Sequence, residues 1–93
     1  AHRVLRHGET QVELTHAEAQ LLGALVDAGG RVVSREELYL KSFGRRRKQG
    51  EKVLETYVSR VRSKISQLDP ASGDAIQTAR GSGYRIIAQT SPA

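Results

Sequence analysis

An α+β fold, with short antiparallel strands at both ends and three helices between them, is predicted for these 93 residues by three observations. Alternating apolar and polar residues flank a Gly-Glu step near the start and a glycine-bracketed tip near the end, the period-two pattern of hairpin strands. Between them, two S/T-x-x-E sequences each precede an apolar run, the mark of a helix N-terminus. A later segment carries apolar residues at steps of four and three, the spacing of one buried helix face. A chain this short has room for a single domain, residues 1–93, that buries roughly two-thirds of its unfolded surface.

In chain order, residues 3–7 (RVLRH) and 10–14 (TQVEL) flank Gly8-Glu9, so residues 1–14 hold the N-terminal strands. Thr15 with Glu18 opens the first helix, which ends at Gly29-Gly30. Its buried face is assigned to Ala19, Leu22, Leu25 and Val26, joined by Leu21. Ser34 with Glu37 forms a second capping box ahead of Leu38 and opens a second short helix. FGRRRKQG has no apolar periodicity and two glycines, which makes residues 43–50 a loop. Over residues 51–68, Leu54, Val58, Val61, Ile65 and Leu68 form the stripe of the third and longest helix, completing a three-helix core at 15–68. Asp69-Pro70 and the Gly73 region end it. IQTARGSGYRI then reads as a second hairpin within 75–88, with Gly81 and Gly83 supplying positive φ at the tip, before a loose tail at 89–93.

Charge is informative because of where it lies. Between Lys41 and Lys64 there are nine basic residues against Glu51 and Glu55, whereas the whole chain has a net charge of +5. A basic segment this confined is the footprint of a polyanion partner, nucleic acid first and an anionic membrane surface second. No Cys is present, which excludes disulfides and thiolate metal sites and points to a reducing, cytoplasmic setting. No apolar run approaches the ~20 residues of a membrane span, and AHRVLRHGET is not a signal peptide, so no membrane contact is expected. From the absence of Met and a start inside a strand-like stretch, the chain is expected to be an excised piece of a longer protein.

Catalysis finds no support. His2, His7 and His16 lack metal-ligand spacing, and no nucleophile, base and orienting acid can be assembled, so neither a catalytic centre nor a metal or cofactor is expected. GSG joins strands instead of opening a helix and is not a phosphate loop. Two other binding classes stay open: a basic RNA-binding module, disfavoured by one Phe and three Tyr as stacking platforms, and a domain that contacts only proteins.

On the third helix, Lys52, Val53, Thr56, Arg60, Ser63 and Lys64 fall broadly opposite the apolar stripe, with Tyr57 at the border. An arginine among small hydroxyl and methyl-bearing residues, flanked by lysines, suits a DNA major groove, and a solvated face is the alternative. Arg62 lies on the other flank, as a surface ion pair with a carboxylate or as a phosphate contact. Tyr57 either packs half-buried or meets DNA. Arg45, Arg46 and Arg47 form either a solvated loop or a mobile arm that binds the DNA backbone.

Taken together, LTHAEAQLL, GGRVVSREEL, VSRVRSKI and IQTARGSGYRI, in this order and over nearly the whole chain, resemble the winged helix-turn-helix DNA-binding domain of OmpR/PhoB-family response regulators. The resemblance implies double-stranded DNA as partner, read at direct-repeat half-sites, with the third helix in the major groove and the C-terminal hairpin as a wing. Lys52, Val53, Thr56, Tyr57, Ser59, Arg60 and Arg62 stand where family members contact bases and phosphates. Thr78 matches a phosphate-contacting position, Arg80 the arginine that enters the minor groove, and Tyr84 a packing anchor. Lys52 replaces the more usual Arg, which keeps the charge but loses the planar fork. The loop from Phe43-Gly44 corresponds to one that meets RNA polymerase in relatives, here made unusually basic by RRRK. The family's N-terminal sheet is usually four-stranded and preceded by a receiver domain, so a longer native chain is implied.

Overall fold

The computed structural model describes residues 3–72 and 74–87. The tail assigned to 89–93, the end of the 75–88 hairpin range, Gly73 and His2 lie outside them. Strands β1 (Arg3–His7) and β2 (Thr10–Leu14) pair antiparallel, with Arg3 opposite Leu14 and His7 opposite Thr10. Leu14 is buried and Leu5 and Val12 are half-buried, so one face of this hairpin lies on the helices while Val4 faces outward.

Helix α1 (His16–Asp27) starts with a complete capping box. The Glu18 amide donates to Thr15 Oγ1 at 3.3 Å, and the Thr15 amide donates to the Glu18 carboxylate at 2.8 Å. Its buried residues are Glu18, Leu21 and Leu25, whereas Val26 is 55% exposed. The buried face is therefore rotated from the expected one, with Ala19 and Leu22 only half-buried. A charged residue occupies a core position, and an apolar pattern steps over it. Glu18 is tolerated there because Lys64 reaches it, with Nζ 2.6 Å from its carboxylate and 2.8 Å from the Glu13 carbonyl. Burial pushes the Glu18 carboxyl up, but the Lys64 and Thr15 hydrogen bonds outweigh it and hold the pKa below the ordinary 4.5.

Helix α2 (Arg35–Phe43) is capped by Ser34, whose Oγ accepts from the Glu37 amide at 3.1 Å. Only this half of the second capping box forms. Phe43 belongs to the helix, and Gly44 closes it in the left-handed conformation at φ 70°, so the loop begins one residue later than expected.

A further strand, β3 (Val33–Ser34), precedes α2. It was not expected, because two residues cannot display alternation. It pairs with β5 (Gly83–Ile86), which pairs in turn with β4 (Ile76–Ala79), giving the antiparallel order β3-β5-β4. Gly83 is where β3 docks: a Cβ there would stand 2.0 Å from the Val33 carbonyl oxygen, at φ 152°. Of the two glycines assigned to the tip, only Gly81 shapes the turn. Gly83 permits the contact between strands.

Helix α3 (Val53–Leu68) begins two residues after the expected Glu51, with Lys52 as the capping residue and Asp69 at its end. One 3-10 turn (Pro70–Ser72) follows. Leu54, Val58 and Val61 are fully buried, and Ile65 and Leu68 half-buried. Leu54, Val58 and Val61 join Leu21, Leu25, Val33, Leu38, Tyr39, Ile76 and Tyr84 in one core that ties all three helices to the C-terminal sheet, with Ile65 packed against it.

Because the Glu18 pKa is depressed on folding, its contribution to stability is fully present above pH 4.5 and is lost as pH falls through the lower folded value. Lys64→Ala should destabilise the domain by about 3 kcal/mol at pH 7, the low end of the range for broken buried pairs because Lys64 is partly wet. The gap from the parent in urea unfolding should narrow progressively below pH 4.5. A gap that stays constant down to pH 2 would show that the pair does not carry the effect.

Candidate nucleic-acid interface

The side of α3 away from the core presents Lys52, Thr56, Ser59, Arg60 and Ser63, all exposed. Val53 is half-buried and packs against the core. Tyr57 is also half-buried, its ring edge-on to Phe43 with centroids 5.0 Å apart. Arg60 lies over the outer side of Tyr57, 5.0 Å from the ring centroid. The aromatic ring thus restricts where the guanidinium can go while leaving its donors in solvent.

Lys64 does not belong to this face. Its Cα lies near the border, and its four-carbon stem carries the ammonium back to Glu18, as long basic side chains do when a partner lies inward. A helical wheel locates the Cα and not the charged end.

Arg62 is anchored within the domain by groups the sequence did not point to. Its Nε donates to the Ile76 carbonyl at 3.0 Å and its Nη2 to Thr78 Oγ1 at 3.0 Å, while the guanidinium lies over the ring of Tyr84 at 5.9 Å. It bolts α3 to β4. Thr78 is exposed and its hydroxyl accepts from Arg62, so these two residues act as a pair. Arg80 sits in the turn between β4 and β5, fully outside the core. Arg85, the other arginine beside the tip, is held across the strands by Gln77 at 3.3 Å.

The loop between α2 and α3 is organised around Glu51. Arg45 grips the Glu51 carboxylate with both terminal nitrogens and also donates to the Arg46 carbonyl at 3.1 Å. The Lys48 amide donates to the same carboxylate at 3.0 Å, and Arg47 Nε to the Glu51 carbonyl at 3.0 Å. The Arg45 guanidinium also stands 5.9 Å from the ring centroids of both Tyr39 and Phe43. RRRK is therefore no uniform arm: Arg45 and Arg47 are tethered, while Arg46, Lys48 and Lys52 are exposed with no side-chain bond among the described residues. Glu51 escaped the sequence reading, although a lone acid six residues beyond Arg45 in a basic run was the available signal. Tyr39, whose hydroxyl lies between Glu51 and Leu54, carries no local signal at all.

Among the described residues no cluster of His, Asp or Glu could hold a metal ion, and no helix is long and apolar enough to cross a membrane.

The family model described as "Transcriptional regulatory protein, C terminal" matches residues 8–86. The transcriptional regulatory protein AruR of Pseudomonas aeruginosa is 34% identical over 91 residues, which is 98% of this chain but 37% of AruR. The chain thus spans little more than a third of that relative's length. The crystal structure of the DNA-binding domain of CpxR from Escherichia coli superposes with a TM-score of 0.76 at 30% identity, covering 89% of this chain and 80% of that one. The Klebsiella pneumoniae RstA DNA-binding domain, solved in complex with the RstA box, gives 0.74 at 27% identity, covering 90% and 82%.

The Arg45 hydrogen bond, reinforced by the Lys48 amide, holds the Glu51 carboxyl down at about 2. The clamp is therefore fully formed above pH 4.5 and released only as pH falls through about 2. Carboxyl-carbon NMR titration should find this low midpoint in the parent and a return toward 4.5 in Arg45→Ala. An ordinary midpoint in the parent would mean that the loop is unclamped.

Proposed function

The chain belongs to the OmpR/PhoB family of response regulators, and on that premise we propose that it binds double-stranded DNA sequence-specifically as the effector domain of a two-component transcriptional regulator. The observation that carries the reading is the exposed α3 face bolted through Arg62 to a wing whose turn presents Arg80. An α-helix fits the major groove, and a hairpin fixed beside it can follow the duplex to the adjacent minor groove. Arg60 reads a base edge, most naturally guanine O6 and N7. Thr56, Ser59 and the methyl groups of Val53 serve neighbouring bases or sugars, with Tyr57 behind them. Lys52 contacts a phosphate as a point charge. Arg62 has Nη1 left for a phosphate, and Thr78 positions it. Arg80 enters a narrow A·T-rich minor groove, where negative potential is concentrated.

In the loop, Arg46 and Lys48 are the free charges, and Arg45 and Arg47 shape the backbone that carries them. We propose that this segment strengthens binding without selecting bases, and that it is also the surface nearest an approaching RNA polymerase. The full-length protein carries a receiver domain, acts in the cytoplasm and occupies direct-repeat half-sites about one helical turn apart. No catalytic step is assigned to this domain.

If the free basic residues together neutralise about four to six phosphates, log K should fall against log salt with a slope of roughly −4 to −5. Fluorescence anisotropy between low and physiological salt measures it, and a slope near zero would remove the phosphate interface.

The two reading elements separate by mutation. Arg60→Ala should cost roughly 1–3 kcal/mol at one base-pair position, with the fold intact because the residue lies off the buried stripe. Arg80→Ala should weaken binding only to duplexes with an A·T-rich flank on the wing side. Titration against single-base variants with matched A·T and G·C flanks checks both. If Arg60→Ala binds every variant as the parent does, α3 is not the reader; if Arg80→Ala ignores the flank, the hairpin merely closes the sheet.

A further inference from the structure

Helices α1 and α2 each start with a hydroxyl side chain, Thr15 and Ser34, that accepts one of the free amides of the first turn. Helix α3 has none. Its capping residue is Lys52, which makes no side-chain cap and, as an ammonium, can only donate. The amide of Leu54 in that first turn is satisfied from elsewhere. It donates to the hydroxyl of Tyr39, 3.2 Å away on α2, and the same hydroxyl donates to the Glu51 carbonyl at 3.4 Å.

Tyr39 is fully buried, and its ring packs against Phe43 with centroids 5.5 Å apart. A phenol in such a setting has little freedom, so its oxygen is a fixed point relative to the core. That point lies where the loop becomes the helix. Glu51, whose carbonyl takes the Tyr39 hydroxyl, also holds Arg45 by its carboxylate and Arg47 by its carbonyl. Leu54, two residues after Lys52, is the first fully buried residue of α3.

We infer that Tyr39 is a positioning residue for sequence reading: its hydroxyl substitutes for the missing cap and sets the position of the first turn of α3, and with it Lys52, Val53 and Thr56. This rests on the DNA-binding reading above. Phenylalanine at this position keeps the ring and its packing but strands the Leu54 amide. The first turn then frays while the later turns, held by Val58 and Val61, stay in place. Selectivity is lost on the base pairs facing the start of the helix and kept on the one facing Arg60. An uncapped first turn still carries the same charges, so attraction to an arbitrary duplex is unchanged.

The experiment is Tyr39→Phe in the whole chain, read in two ways. Amide hydrogen exchange at Leu54 should accelerate about tenfold, the effect of one lost hydrogen bond, with Val58 and Val61 unchanged. A duplex selected by the parent from a random-sequence library, a scrambled duplex and single-base variants of the former then serve as probes. Preference for the selected duplex over the scrambled one should fall several-fold, at positions other than those affected by Arg60→Ala, with affinity for the scrambled duplex and the salt slope retained. Unaltered exchange at Leu54 overturns the cap. Faster exchange with unaltered preference overturns the positioning role and leaves Tyr39 structural, and so does acceleration that extends to Val58 and Val61. If the parent itself selects no duplex, the DNA-binding reading fails and takes the positioning role with it, while exchange at Leu54 still reports whether the hydroxyl caps the helix.

Discussion

The arrangement depends first on a charge placed where apolar residues belong. Glu18 completes the cap of α1 and, from the same carboxylate, accepts the ammonium of Lys64 on α3, which also bonds the Glu13 carbonyl of β2. Three elements meet at one buried pair. A carboxylate in this position is costly unless each of its partners is in place, so misdocking α3 against α1 would leave an unpaired charge in the core. The rotation of α3 about its own axis is fixed accordingly, with Leu54, Val58 and Val61 inward and Arg60 outward.

A second constraint sets the wing against that helix. Because Gly83 lacks a Cβ, β3 can approach β5 closely enough to pair, and the hairpin is continuous with the start of α2. Arg62 then joins α3 to β4 through the Ile76 carbonyl and Thr78, over the face of Tyr84, whose ring Arg35 also approaches at 5.4 Å. Helix and hairpin are thereby one body. The exposed face of α3 and the turn bearing Arg80 are set at one separation.

What was legible in the sequence follows from the range of each interaction. Thr15 with Glu18 and Ser34 with Glu37 could be read because cap and partner are three residues apart, and the α3 stripe because five apolar residues repeat the period. The three helices, the two hairpins and the exposed face of α3 came from such local patterns, and the assignment of Arg80 and Thr78 to a wing from resemblance. The misses are contacts between distant residues. Strand β3 has two residues and a partner about fifty positions away. Val26 was placed inside because the pattern stepped over Glu18, whose burial depends on a lysine 46 residues later. The bond from Arg62 to the Ile76 carbonyl could not be read, since carbonyl groups leave no trace in a sequence of side chains.

Locating the basic residues separates two things that net charge combines. Between Lys41 and Lys64 some cations are bonded and some free, but bonds to carbonyl groups leave a cation's charge intact, so Arg47 and Arg62 still contribute to the field around the domain. Among the described residues, only Arg45 and Lys64 of this segment pair with carboxylates. Long-range attraction therefore draws on nearly the whole set, and within it Lys41, Arg46, Lys48, Lys52 and Arg60 keep their donors in solvent. The tethered cations hold the loop and wing in shape, and because the tether at Glu51 also meets Tyr39 at the start of α3, the basic loop and the first turn of that helix are joined at one residue.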